Sequence, residues 1–327
     1  MLRRNFFIFQ TRDENFDIVV SRCLYGADIS RPEQRPLCNS KPGDLVFIWN
    51  IDKRSLYGPF EVASRLFYDE EEVGWTKKWP YRVLIRPWGS TIFEISSRTM
   101  PNFISFLADK MITIKDISDI IMGRRFLLSL IYEEGISLLR FLLAKGDVAS
   151  ELLKKVCSDR YKPKDPFLAK NALKNYGTPP EYLIELYLLQ QLEELELLVG
   201  SGISEVYNTL YGYAGRFLDI LTVHRAEDGS ILKISILELK KNPKEIGRGI
   251  EELAHYMFWA SDKFPGVEKS RVFGMLITPL TQRTSEDEFK NLVEKYAEMY
   301  GLRVKNFSWV TYKLDGSSGK ISFTRKS

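Results

Sequence analysis

Histidine is almost missing from this chain of 327 residues, with only His224 and His255 present. Two scattered imidazoles give no basis for a nucleophile–histidine–acid triad. Cysteine is nearly as scarce. Cys23, Cys38 and Cys157 are widely spaced, odd in number and form no CxxC pair. That argues against a zinc site and a disulfide framework and suits a reducing cytoplasm. No Walker pattern occurs, and Lys241-Asn242-Pro243-Lys244 is not a phosphate-cradling glycine loop. Long apolar runs are absent at the N-terminus. Basic residues precede a short apolar stretch there, too short for a signal peptide or a membrane span, and it reads as a first strand. Neither an internal repeat nor a low-complexity segment is visible. The net charge is only +4, which permits nucleic-acid binding without requiring it.

Hydrophobic content of 44% and charged content of 28% fit an ordinary globular protein, and the length suits two domains. Up to residue 95 the pattern is one of short strands between turns. Leu45 to Trp49 is a buried strand by composition, and Tyr81 to Arg86 is another. Such spacing predicts a small β-barrel. From about residue 101 the apolar period becomes helical, through Phe103 and Phe106, then Phe126, Leu127, Leu130 and Ile131. Gly123, Gly135 and Gly146 are expected to break this region into short helices. Pro180 then opens a helix over residues 181–198, with Glu181 and Glu185 one turn apart. Glu185 reads as an exposed helix residue. Helices over 244–260 and 285–300 alternate with strands over 272–278 and 302–312, an α/β sandwich with a mixed sheet.

Between them lies a hairpin, residues 215–242. Asp228-Gly229 between two β-rich runs is a strong hairpin signal. If these two residues form the turn, Asp219 stands opposite Glu238, with Cβ atoms about 4.5–5.5 Å apart. Lys240 shares their face, and Leu239 points away. Opposed carboxylates in apolar strands repel, so the pair needs a shared proton or a cation. A hard ion such as Mg2+ accepts a few carboxylates and keeps several waters. The other reading is a solvated strand end with ordinary ion pairing.

Asp219 followed by Glu238-Leu239-Lys240, between two helices, resembles the PD-(D/E)XK, or restriction-endonuclease-like, nucleases. Residues 181–310 look like the catalytic domain of NucS endonucleases, through Glu181 to Glu185, a glycine-containing approach over residues 212–221, and Glu238-Leu239-Lys240. That family has a Gln-x-x-x-Tyr pair on the following helix. This chain has Glu252 and Tyr256. Residues 5–95 resemble PUA-like domains of the EVE, YTH and DCD type, through Lys41-Pro42-Gly43-Asp44, Tyr57 to Val62, Trp79 to Val83 and Cys23-Leu24-Tyr25-Gly26.

The resemblances imply an α+β chain: a PUA-like β-barrel in residues 1–108, a helical connector in 109–178, and a restriction-endonuclease-like α/β domain in 179–327. They imply that Asp219, Glu238 and the Leu239 carbonyl bind Mg2+ or Mn2+, that Lys240 orients water or neutralises charge, and that Glu181 assists. Glu252, Tyr256 and Arg216 are accessory candidates. Arg216 reads equally as a surface arginine. Lys241, Lys244 and Arg248 form a basic rim, or simply a solvated helix start. Tyr25, Trp49, Trp75 and Trp79, with Asn50 as a donor, are candidates for an aromatic cage around a base, and Trp49 and Trp79 read equally as core. The implied function is a Mg2+-dependent DNA endonuclease that senses a modified or unusual base, in restriction or repair. The alternatives are a non-catalytic reader of modified nucleic acid and an RNA-processing nuclease. A double-strand cut needs two active sites, which suggests a homodimer.

Overall fold

The computed structural model describes residues 2–96, 98–110, 126–163, 166–211, 216–264, 266–280 and 286–326. Gly123, Gly212, Gly215 and Ser285, named or spanned by the sequence reading, lie outside them. The chain folds into two compact units, residues 3–167 and residues 1–2 with 168–327. Both contain mixed sheets, and the fold is α+β.

The first unit is built on β1 (Phe6–Thr11), α1 (Asp13–Arg22), β2 (Leu24–Ala27), β3 (Leu45–Asn50), β4 (Ser55–Val62), β5 (Phe67–Tyr68), β6 (Tyr81–Pro87) and β7 (Phe93–Ile95). There follow α2 (Met100–Lys110), β8 (Leu127–Leu130), α3 (Tyr132–Lys145), β9 (Asp147–Val148) and α4 (Ser150–Lys155). The main sheet runs β2-β6-β4-β3-β1-β8 and curls into a half-barrel. β1 and β3 pair in parallel at its centre and are buried along their whole lengths. That explains their unbroken apolar composition, which a sheet covered on both faces requires.

Two expectations for the middle of the chain change. Leu127 to Leu130 form a strand, antiparallel to β1, with Phe6 opposite Leu130. A short apolar run fits either period, and the open edge of β1 decides it. Gly135 does not break a helix. It lies buried inside α3, where an added Cβ would fall 2.1 Å from Cγ of Phe6. Its missing side chain lets the helix pack onto the strand. Leu138 and Leu142 of α3 and Phe103 of α2 then close one core with Phe6, Ile8, Phe47 and Trp49.

The cysteine expectation is also corrected. Cys23 and Cys157 form a disulfide, with Cα atoms 5.0 Å apart and a sequence separation of 134. Backbone bonds from Cys157 to Val20, Asp159 to Ser21 and Tyr161 to Arg22 bring the segments together, a long-range match that sequence spacing cannot reveal. Cys38 is buried and forms no disulfide. No helix among the described residues is long and apolar enough to cross a membrane.

The second unit holds α5 (Ala169–Leu173), α6 (Glu181–Gln190), α7 (Leu192–Val199), β10 (Glu205–Tyr211), β11 (Phe217–Arg225), β12 (Ile231–Leu239), α8 (Ile246–Lys263), β13 (Val272–Pro279), α9 (Glu286–Tyr300), β14 (Phe307–Asp315) and β15 (Lys320–Arg325). The single helix expected over 181–198 is broken at Gln191, whose ψ of 72° is not helical. The sheet order follows the chain, β10 to β15. β12, β13 and β14 are parallel, and the remaining pairs are antiparallel.

α8 packs unusually close to this sheet. A Cβ on Gly274 would meet Sδ of Met257 at 2.5 Å, and one on Gly249 would meet Cδ1 of Leu276 at 2.6 Å. One glycine on each side removes the bulk that would hold them apart. Leu253 and Met257 are fully buried in the contact, each worth about 1.5–3 kcal/mol. The close approach carries Glu252 and Tyr256 toward the strand ends.

Candidate functional sites

In the second unit the first candidate site sits at the open end of the β11–β12 hairpin. Ile220 pairs with Leu237 and His224 with Lys233, so Asp219 and Glu238 are the next opposed residues. The reason differs from the expected one. The turn is longer than Asp228-Gly229: the Ala226 N–H bonds Ser230, and Gly229 adopts φ +87°. A bulge at His224/Arg225 then shifts the register by one. Longer turn and bulge cancel, which leaves the register a two-residue turn would give.

Asp219 is 8% exposed and Glu238 3%. Oδ2 of Asp219 accepts the Leu239 N–H at 2.7 Å, which fixes the carboxylate across the strands. Nζ of Lys240 donates to Oε1 of Glu238 at 2.5 Å and to Oε2 of Glu252 at 2.7 Å. Glu252 also accepts from Arg216 at 3.1 Å and Arg248 at 2.9 Å. Three cations thus converge on Glu252. Tyr256 donates its hydroxyl to the Phe217 carbonyl at 2.8 Å, tying α8 to the strand before Asp219. Cγ of Lys240 would lie 3.3 Å from a Cβ on Gly249, so α8 also clamps the lysine stem.

These contacts set the charges. Burial, reinforced by the Asp219 charge, pushes Glu238 well above the carboxylate range, with Lys240 opposing. Burial alone would lower Lys240, but Glu238 and Asp219 outweigh it and raise its pKa. Burial would raise Glu252, yet Lys240 and Arg248 bring it below its ordinary value. Lys240 is therefore a fixed cation, unsuited to taking up a proton. Oε2 of Glu238 is buried without a hydrogen-bond partner. Among the described residues no group of three or more histidine, cysteine, aspartate or glutamate side chains is arranged to hold a metal. Two carboxylates with one oxygen unpaired still fit an ion such as Mg2+, which draws few ligands from protein and keeps several waters.

The residues around this centre divide. Glu181, at the start of α6, accepts the Lys241 N–H at 3.0 Å. Glu185 is not exposed: it is fully buried and accepts from Asn208 at 2.8 Å and Thr209 at 3.1 Å. Lys241 and Lys244 are exposed beyond β12. His224 contacts the Gly200 carbonyl at 3.1 Å, and His255 pairs with Tyr300.

The second candidate site is a cleft of about 450 Å³ in the first unit, lined by Tyr25, Gly26, Trp75, Trp79, Phe126 and polar groups that include Asn15. That size suits a small-molecule site. The Trp75 and Trp79 rings stand 5.3 Å apart at 61°, and Phe126 lies 5.1 Å from Trp79. Tyr25 forms the floor, stacked on Phe9 at 4.2 Å, with its hydroxyl on the Gln10 carbonyl at 2.9 Å. Trp75 lies over Gly26, where a Cβ would come within 2.6 Å of the indole. Its Nε1 is buried and unpartnered.

Trp49 and Asn50, expected at the cage, are elsewhere. Trp49 is fully buried, stacked on Phe103 at 5.7 Å. Asn50 is fully buried and donates to Asp13 at 2.8 Å while accepting from Asp52 and Lys53. Both lie on β3, which the half-barrel covers on both faces. The sequence reading missed Phe126 and Arg82. Arg82 is 3% exposed. It donates to the Trp79 carbonyl at 3.0 Å and to the Tyr161 hydroxyl at 3.2 Å, and lies 5.2 Å from the Trp75 ring centre. A charged residue between Tyr81 and Val83 in a strand was the available signal. Phe126 carried none beyond its aromatic character.

No family model matches this chain, and no curated protein matches it. Among solved structures it is similar to the Mmi1 YTH domain in complex with RNA, at 15% identity and a TM-score of 0.32, over 48% of this chain and 85% of that one. It is also similar to the YTH domain of Zygosaccharomyces rouxii MRB1 in complex with N6-methyladenosine RNA, at 15% identity and a TM-score of 0.31, over 43% and 87%. Likeness at this level carries no argument about function.

Proposed function

We propose that the first unit reads nucleic acid by taking one base, extruded from an RNA or DNA strand, into the aromatic cleft. The carrying observation is that Trp75 and Trp79 stay partly exposed, their rings inclined at 61° to each other, in the cleft that the buried Tyr25 also lines. Such faces stack on a base, and the unpartnered Trp75 Nε1 offers a donor to a base acceptor. Intrinsic tryptophan fluorescence, titrated with plain and modified oligonucleotides of both RNA and DNA, tests it. Trp79→Ala should cost about 1–3 kcal/mol of affinity, as loss of one stacking surface does. Failure of the wild type to bind any member of the panel would overturn the reading.

A second reading is favoured by the orphaned Oε2 of Glu238. In it the second unit hydrolyses phosphodiester bonds, in modification-dependent restriction or repair. Asp219 and Glu238 would hold Mg2+ or Mn2+, joined by the Leu239 carbonyl as the family resemblance implies. When bound, the ion supplies an activated water and charge stabilisation at the phosphate. Lys240, kept protonated, neutralises charge developing on the phosphate. Glu252 holds Lys240 in place, and the exposed Arg216 and Arg248 face an incoming polyanion. Asp219→Ala should abolish both the rise in Tm on adding Mn2+ and the metal-dependent nicking of DNA or RNA. A wild-type protein that shows neither would retire this reading and leave the reader alone.

A further inference from the structure

The parallel strands β12, β13 and β14 all run toward one edge of the second sheet. Pro279 pairs with Tyr312 there, and the Lys240 N–H bonds the Ile277 carbonyl just beyond the end of β12. A cleft of about 340 Å³ opens at this edge, lined by Thr178, Lys241, Leu280, Tyr312 and Lys313 among others. Neither reading above uses it.

Tyr312 is its unusual member. The residue is 3% exposed, and its hydroxyl is shielded from solvent without any hydrogen-bond partner. Buried hydroxyls are almost always paired, so an orphan needs a reason. Lys241 and Lys313 are exposed, and neither has an ion-pair partner among the described residues. The nearby acid, Glu181, is engaged by the Lys241 N–H. Burial and then the Glu181 charge push the Tyr312 hydroxyl up to about 12, so it keeps its hydrogen and remains a donor. A neutral donor in a cleft lined by two exposed lysines matches an oxyanion better than a cation.

We propose that this edge binds the phosphodiester backbone of a nucleic-acid strand, with the Tyr312 hydroxyl donating to a phosphate oxygen and Lys241 and Lys313 supplying countercharge. This rests on the second reading, in which a strand is held at Asp219, Glu238 and Lys240. Lys240 and Lys241 are consecutive, so a strand crossing the edge meets both. Parallel sheets commonly bind ligands at this end of their strands.

A fluorescent abasic oligodeoxynucleotide, without divalent ions, isolates the site: nothing can be cut, and the aromatic cleft has no base to hold. Anisotropy should show Tyr312→Phe binding about tenfold more weakly, with an unchanged salt dependence because no charge is lost. Lys241→Ala should bind more weakly and lower the slope of log affinity against log salt by about 0.7. Tyr312→Phe should also keep or raise Tm, since it removes a hydroxyl that nothing in the protein pairs. Unchanged affinity in Tyr312→Phe, a fall in its Tm, or competition by inorganic phosphate as strong as by the strand would each overturn the proposal. Nicking by wild type against Asp219→Ala, run in parallel with Mg2+, reports on the hydrolase alone. Tyr312-dependent strand binding without nicking keeps this site and removes the hydrolase. Nicking with Tyr312-independent binding does the reverse.

Discussion

Lys240→Met is expected to lose about 3–5 kcal/mol of unfolding free energy at neutral pH, the usual result of removing one partner from a buried charge pair. Methionine keeps the stem that packs against Gly249, so the loss isolates the charge. Lys240 is the cation that Glu238 and Glu252 share, and both carboxylates are 4% exposed. Without it, Glu238 sits beside Asp219 with no compensation. The sign of the pH dependence follows. A buried carboxyl with a raised pKa binds its proton more tightly folded than unfolded. The variant should therefore regain stability as pH falls toward the carboxylate range and lose it as pH rises through the folded-state value. Glu238 already carries a raised pKa in the intact protein, so the same slope should be present there in weaker form. Glu252 opposes it, because its lowered pKa contributes stability that is lost as pH falls. Urea denaturation across pH, with Glu238→Gln added to Lys240→Met, measures this. The double variant should recover much of the loss at neutral pH. A single variant within about 0.5 kcal/mol of wild type would mean that the three side chains do not form the buried network described.

The second large effect is expected from Arg82→Met. This guanidinium holds both walls of the aromatic cleft, the Trp79 segment through its carbonyl and the Trp75 ring through cation–π contact. It also donates to the Glu71 carbonyl and to Tyr161, whose hydroxyl bonds Asp69 at 2.6 Å. Removing it strands one buried acceptor, the Tyr161 hydroxyl, at about 1–3 kcal/mol, and frees two partly buried carbonyls. Base affinity should fall more than in either single tryptophan variant. Arg82→Lys separates positioning from stability. An ammonium restores the charge but cannot span three planar directions at once. It should recover part of Tm while leaving base affinity low. Full recovery of affinity by lysine would show that the charge, and not the geometry, organises the cleft.

Tyr25, Trp75 and Trp79 share a cleft, while Trp49, equally aromatic, is core. Local sequence carried the residue types but not that β3 would be covered on both faces. The same limit applied to Glu185. Helical spacing placed it one turn from Glu181, yet only the β10 strand, with Asn208 and Thr209, shows why a carboxylate can be buried there. Glu252 was visible four residues before Tyr256 on its helix, but its three cationic neighbours come from the residue before β11, the residue after β12 and its own helix.

The sequence by itself determined the hairpin. Side-chain period fixes which residues share a face, and with a turn at Asp228-Gly229 it sets Asp219 against Glu238 with Lys240 beside them. The register holds although the turn is longer than two residues, because the bulge at His224/Arg225 compensates for the extra loop residue. Tertiary structure alone decided the rest. It brought Cys23 to Cys157, made residues 127–130 a strand, seated Arg82 against the Trp75 ring and the Trp79 carbonyl, and left the Tyr312 hydroxyl and one oxygen of Glu238 buried without partners. Each of these depends on what a distant segment does to a residue's surroundings. Periodicity reports only the direction a side chain takes from its own backbone.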